Sequence, residues 1–184
     1  MTLNGMTMRA LALSSLLIAF AAPAFGQSST GPTEGSAFGI APLTQDFVTL
    51  TLQAEMLEVQ SGQLALMRAE NGKAKDFAHR AIEDREAANE LKGLVSNGQV
   101  RAIEPLFLGK KNAAQIDKLW TLQGAEFTQA YNDLQVSMHK DAVSLFERYA
   151  RDGDSAELKA FANKHLPDLR QQLQQAEALE DKAH

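Results

Sequence analysis

The chain has no cysteine, a single tryptophan and only five prolines in 184 residues. Without thiols it can have no disulfides, thiolate metal ligands or thiol nucleophile, and no lipid-attachment cysteine, so its stability has to come from burial. Long apolar runs are missing too. The longest, Ala10 to Ala22, covers about 13 residues, short of the roughly 20 that a membrane-spanning helix needs. No cluster of lysine and arginine exceeds Lys110-Lys111, and acidic residues outnumber basic ones by 23 to 18, which excludes nucleic acid as the expected partner. No segment alternates with period two, so no sheet is expected. Nucleophile elbows, phosphate-binding glycine loops and HExxH are absent. So is the ExxH pair of di-iron bundles, since Val136 stands three residues before His139.

Residues 1–26 read as a secretory signal. Arg9 precedes the apolar run, and Ala24-Phe25-Gly26 is a small-x-small cleavage site, so the mature chain is expected to start near Gln27 in the periplasm or outside the cell, without a permanent membrane anchor. Met6 and Met8 are alternative starts upstream of the same run. Removing the signal leaves 17 basic residues against 23 acidic, a net of −6. Residues 27–44, rich in Ser, Thr, Gly and Pro, read as a linker. Residues 45–184 are long enough for one domain with its own core.

Helical periodicity fills that domain. Phe47, Leu50, Ala54, Leu57, Leu64 and Ala65 mark a first helix from Gln45 to Ala69, with Thr44 as its cap. After Asn71-Gly72, a second helix runs from Ala74 to Val95 and stops at Asn97-Gly98; so short a turn predicts a helical hairpin. A crossover with Pro105 and Gly109 leads to a short helix capped by Asn112. A third long helix covers Ala125 to Arg151, and a fourth follows Asp154 or Ser155 and ends near Leu179, with Pro167 expected to kink or break it near His165. The fold class is all-α: an antiparallel four-helix bundle with a long crossover that contains a short helix.

Each long helix carries one polar residue in or beside its apolar face: Glu58, Arg85, His139 and Gln172, with Asp84 flanking Arg85. At about 100° per residue, Arg85 falls in the middle of the second helix's apolar face and requires a carboxylate. Glu58 is the preferred partner, with Gly62 one turn on allowing close approach of the neighbouring helix. The reading of Glu58, Asp84, Arg85, His139 and Gln172 is a buried polar cluster that holds the helices in register, with no catalytic residue, cofactor or metal. The alternative is a metal site from Glu58, Asp84 and His139, against which Arg85 stands as a cation and Gln172 as a poor ligand. A third reading is a small apolar or acidic ligand near Arg85. His79, His165 and His184 are expected on the surface, Tyr131 and Tyr149 in the stripe of the third helix, and Met56, Met67 and Met138 as gap-fillers.

Four segments together carry a resemblance. They are Glu58-Val-Gln-Ser-Gly-Gln-Leu-Ala65, Phe77-Ala-His-Arg-Ala-Ile-Glu-Asp-Arg-Glu-Ala-Ala-Asn89, Gly124-Ala-Glu-Phe-Thr-Gln-Ala-Tyr131 with His139-Lys140, and Leu166-Pro-Asp-Leu-Arg-Gln-Gln-Leu173. In order and spacing they resemble the exported bacterial family called domain of unknown function 4142, over nearly all of Gln45 to Leu179. The resemblance implies a ferritin-like bundle in the periplasm with no assigned reaction. It also implies Asp-His where this chain has Asp84-Arg85 and a histidine where it has Gln172, whereas Glu58, Asp84 and His139 match. The functional expectation is a non-enzymatic exported bundle, structural or stress-associated, whose partner is unknown, a periplasmic protein being one candidate. The alternative is a ferritin-like metal-binding protein or oxidoreductase.

Overall fold

A computed structural model describes residues 43–180, and the proposed signal and most of the linker lie outside them. The described part is all helix and loop. Its helices are α1 (Thr44–Arg68), α2 (Gly72–Glu83), α3 (Glu86–Ser96), α4 (Lys110–Trp120), α5 (Gly124–Asp152) and α6 (Ala156–Glu180). α1 pairs with α2 and α3, α5 pairs with α6, and the connection between the two pairs carries α4. This is the expected bundle with a helical crossover. Among the described residues no helix is long and apolar enough to cross a membrane.

Local chemistry accounts for most of the helix ends. The Asn71 side chain accepts a hydrogen bond from the Ala74 amide at 2.8 Å and starts α2, and Ser155 does the same for Leu158 at 3.2 Å before α6. Gly98 takes φ +79° after Asn97, the left-handed turn that ends α3. Two expected caps are corrected. α4 begins at Lys110 after Gly109, and the Asn112 amide instead donates to the Gln53 carbonyl at 3.2 Å. Thr44 is already helical, and its hydroxyl lies 2.8 Å from the Tyr149 hydroxyl and donates to Asp154 at 2.7 Å.

The helix expected from Ala74 to Val95 is two helices. Asp84 (φ −80°, ψ 89°) and Arg85 (φ −118°, ψ 15°) leave the helical region between them. Glu83-Asp84-Arg85-Glu86 puts four charged residues in a row, so no apolar side chain packs there to hold the helix on its axis, and Asp favours turns over helix interiors. Pro167 has the opposite outcome: α6 runs through it unbroken. Pro167 and Asn163, whose carbonyl loses its amide donor, are both exposed, so water can satisfy the freed carbonyl while α5 supports the inner face.

The core lies in two apolar clusters. One gathers Leu57, Leu64, Phe77, Phe127 and Tyr131 with Ala176; the other gathers Phe47, Leu52, Leu91, Phe146, Tyr149 and Phe161. Phe47 is fully buried, its ring centroid 4.2 Å from Tyr149 and 5.0 Å from Phe146. Leu50, expected inward, is partly exposed, and Val48 and Leu52 fill the core instead. Gly62 performs its expected role, since a Cβ there would come within 3.1 Å of Ile82 Cγ1 on α2.

Truncating Phe47 to Ala is expected to cost about 3–5 kcal/mol. Phe107→Ala, at a side chain 77% exposed, should stay within about 0.5 kcal/mol of the parent. Urea denaturation of both variants checks the assignment of the core.

Candidate functional site

Between the two apolar clusters, each long helical segment turns polar. α1 supplies Glu55 and Glu58, the α2–α3 break supplies Asp84 and Arg85, α5 supplies His139, and α6 supplies Gln172. The expected partnership inside this belt is corrected. Arg85 Nε lies 2.9 Å from Glu55 Oε1, not against Glu58, and the guanidinium side chain is 40% exposed rather than central to an apolar face. The helix break turns it out of that face. Glu55 is the more buried partner, at 11% exposed; burial raises its carboxyl pKa above the ordinary range, partly opposed by Arg85, and neighbouring Glu58 adds to the rise.

Glu58 turns to His139. Its Oε1 lies 3.5 Å from His139 Nε2, and the imidazole, 2% exposed, holds its Nδ1 2.8 Å from the Gln135 carbonyl. Since a carbonyl only accepts, Nδ1 carries a proton, and Nε2 is the nitrogen that faces the carboxylate. Burial works to lower the His139 pKa, but the Glu58 carboxylate and the Gln135 carbonyl outweigh it and raise it above the ordinary histidine value. Behind this pair, Gln135 donates to Ser61 at 3.1 Å, and both are fully buried. Tyr131, one turn further along α5, is buried with its hydroxyl unpartnered; burial and the nearby Glu58 raise its pKa strongly.

Glu58 and His139 form the floor of a cleft of about 210 Å³. One wall is Phe77, Arg80 and Ala81 of α2 with Asp84 just after it; the other is Asp168, Gln171, Gln172 and Gln175 of α6. Both sets follow the i, i+3, i+4, i+7 spacing of a single helix face. Gln172 Nε2 donates to Asp84 at 2.9 Å and joins the two walls. Of the five expected cluster residues, four therefore meet on one cleft, and Arg85 does not line it. Asp84 is exposed and Gln172 only partly buried, so the expected buried cluster is a cleft with a buried floor. Sequence reasoning missed Arg80, Asp168, Gln171 and Gln175, although the all-polar stripe on α6 was a readable signal. Glu55 was also missed: it lies three residues before Glu58 on the same face, and nothing in the sequence distinguishes the two.

Of the other histidines, His79 is exposed as expected, paired with Glu83 at 3.1 Å, and His184 lies outside the described residues. His165 is corrected: it is 4% exposed, its Nε2 2.9 Å from Glu90 Oε2. Hydrogen bonds from Lys164 and His165 hold the Glu90 carboxyl below its ordinary range.

The floor of the cleft offers part of a metal-ligand set. His139 presents Nε2 with Nδ1 already engaged, the arrangement of a histidine ligand, and Glu58 adds one carboxylate. Among the described residues, however, no three His, Cys, Asp or Glu side chains stand close enough to hold an ion.

The model of the family described as domain of unknown function (DUF4142) matches residues 30–179. The chain belongs to this family. The solved structure of CopM in the Cu(II)-bound form is similar, with a TM-score of 0.59 and 18% identity over 76% of this chain and 96% of that one, a likeness of fold. No curated protein matches the chain.

Two outcomes follow. A double-mutant cycle between Arg85→Met and Glu55→Leu should show a coupling of about 1 kcal/mol, because solvent screens the half-exposed guanidinium. The same cycle with Glu58→Leu should be close to additive. For His139, the raised pKa means that its stabilising interaction is complete below the unfolded value of about 6.5 and is lost as pH rises through the folded value. The stability gap between wild type and His139→Gln should therefore shrink from about pH 6 to about pH 9 in urea melts.

Proposed function

We propose that this chain is a non-enzymatic helical binding module that works outside the cytoplasm, and that it acts through the cleft between α2 and α6. The observation that carries this reading is the pair of facing stripes. Helices in a bundle ordinarily meet through apolar residues at this spacing. α6 instead presents Asp168, Gln171, Gln172 and Gln175, and the space stays open down to His139. Arg80, Asp168, Gln171 and Gln175 have no side-chain partner among the described residues, so their donors and acceptors are free for a ligand or a partner's side chain. Glu58 and His139 face each other across α1 and α5 at the floor, and Asp84 with Gln172 sets the spacing of the walls. The leader read in residues 1–26 supports the exported setting, in which a periplasmic protein is one candidate partner.

One observation favours a second reading, a ferritin-like metal-binding protein or oxidoreductase. The 3.5 Å between Glu58 Oε1 and His139 Nε2 is long for a hydrogen bond. Two donors at about 2.1 Å from one tetrahedral ion lie roughly 3.4 Å apart. CopM, whose solved form holds Cu(II), has a related fold. Asp84 would be the third ligand, but among the described residues no three such side chains stand close enough to hold an ion, and that favours the first reading.

Elemental analysis of mature protein purified without chelator is expected to find no stoichiometric iron, zinc, copper or manganese. One tightly held equivalent that disappears in His139→Ala would establish the second reading instead. If the α6 stripe serves binding rather than stability, Gln171→Leu with Gln175→Leu should stabilise the fold by about 0.5–2 kcal/mol in thermal or urea melts. A loss of stability would show that the stripe serves the fold.

A further inference from the structure

The crossover segment between α3 and α4 is built with its apolar residues on both sides. Val100 is buried, and Ala102 and Leu108 pack against the core clusters. Ile103, Leu106 and Phe107 are left 78%, 83% and 77% exposed. Their orientation is held by the backbone. The Gln45 side chain makes two hydrogen bonds to Ile103, donating to its carbonyl and accepting from its amide, each at 2.9 Å, and Gln53 donates to the Phe107 carbonyl at 3.0 Å. The α1 glutamines thus clamp the loop while three large apolar side chains within five residues face water. Such a cluster marks an interaction surface rather than the scatter of single apolar residues found on any protein. Leu106 and Phe107 also border a groove of about 530 Å³ with Met56, Gln60, Lys110 and Ala113.

Charge identifies the occupant. The apolar tips are bracketed in sequence by exposed Arg101 on one side and exposed Lys110 and Lys111 on the other, with Glu104 as the one acid between them. Arg101 and Lys110 have no ion-pair partner among the described residues, whereas Lys111 reaches Asp141 at 3.2 Å. Lys110 and Lys111 occupy the first turn of α4, which has no acidic residue. Cations there oppose the helix dipole, a local cost that an anionic surface outside the protein would offset. A second copy of the chain would bring the same cations face to face.

We propose that this crossover loop docks on the surface of an anionic phospholipid bilayer. Ile103, Leu106 and Phe107 enter the interfacial layer, and Arg101 and Lys110 meet headgroup phosphates. Apolar insertion and basic contacts together are the two signals that reversible membrane binding requires. The mature chain's net charge of −6 repels such a surface at long range, but salt screens that repulsion beyond about 10 Å and leaves the local contact.

The test is flotation of the mature protein with vesicles of phosphatidylethanolamine and phosphatidylglycerol, and with vesicles of phosphatidylcholine alone, in about 0.1 M salt. Binding is expected to the first and to be at least about tenfold weaker to the second. Phe107→Ser alone, and Ile103→Ser with Leu106→Ser and Phe107→Ser, should each lower it, the triple variant by about tenfold or more. Arg101→Glu with Lys110→Glu should abolish the lipid preference. Because these side chains are exposed, circular dichroism and the melting temperature should not change. Phe107→Trp in a Trp120→Phe chain should show a blue-shifted emission on vesicles. Equal binding by wild type and the triple variant, or no binding to either vesicle, overturns the proposal. Dimerisation that the triple variant abolishes, without vesicle binding, overturns it in favour of a second copy.

Discussion

A carboxylate placed inside a helical bundle has to find a cation or a proton, and in this chain that requirement organises the middle of the molecule. Glu55, almost enclosed, takes Arg85. Glu58, one turn on, takes His139. Arg85 meets α1 at the break that divides one long helix into α2 and α3. The same belt separates the two apolar clusters, so the aromatic packing around Phe47 and the packing around Phe127 and Tyr131 are distinct units joined by polar contacts. Of the two pairs, Glu58 with the enclosed His139 is the one shielded from water, whereas Arg85 is 40% exposed and its pairing is screened.

The cleft follows from that arrangement. α1 packs closely against α2, with Gly62 admitting Ile82, and α5 packs along the length of α6. α2 and α6 meet much less, because the facing stripe of α6 carries amides and a carboxylate, and a single hydrogen bond between Gln172 and Asp84 spans the space. What reaches the floor of the cleft is His139, whose second nitrogen is already committed to a backbone carbonyl. The site is rich in donors and acceptors, yet among the described residues no three His, Cys, Asp or Glu side chains come together to hold an ion. It shares a fold with a copper-bound protein while its own side chains are arranged for hydrogen bonding.

The legible part of the molecule was whatever a single helix expresses on its own. The stripe Phe127, Tyr131, Leu134, Met138 repeats along α5 and is buried there, and Ser155 caps α6 where its side chain can reach an amide. Errors arose where the outcome depends on a neighbour. His165 is one turn from Phe161, and its burial depends on Glu90 of α3 lying opposite. Pro167 should break a helix in isolation, yet it faces water on one that α5 supports. The polar residues at Glu58, Asp84, His139 and Gln172 were recognised because each interrupts an apolar stripe; Arg80 and Asp168 were not, because charge on a partly exposed face is ordinary.

By itself, then, the sequence determined the class of fold, the hairpin pairing and the level along each helix at which polarity enters, because periodicity and turn chemistry are properties of short stretches of chain. Only the tertiary structure decided which carboxylate meets which cation. Glu55 and Glu58 are three residues apart, which places them about 60° apart on one helix face, and the choice between them depends on where α2 ends and how it is turned against α1. That rotation is set by packing across helices, on which a single helix's periodicity carries no information.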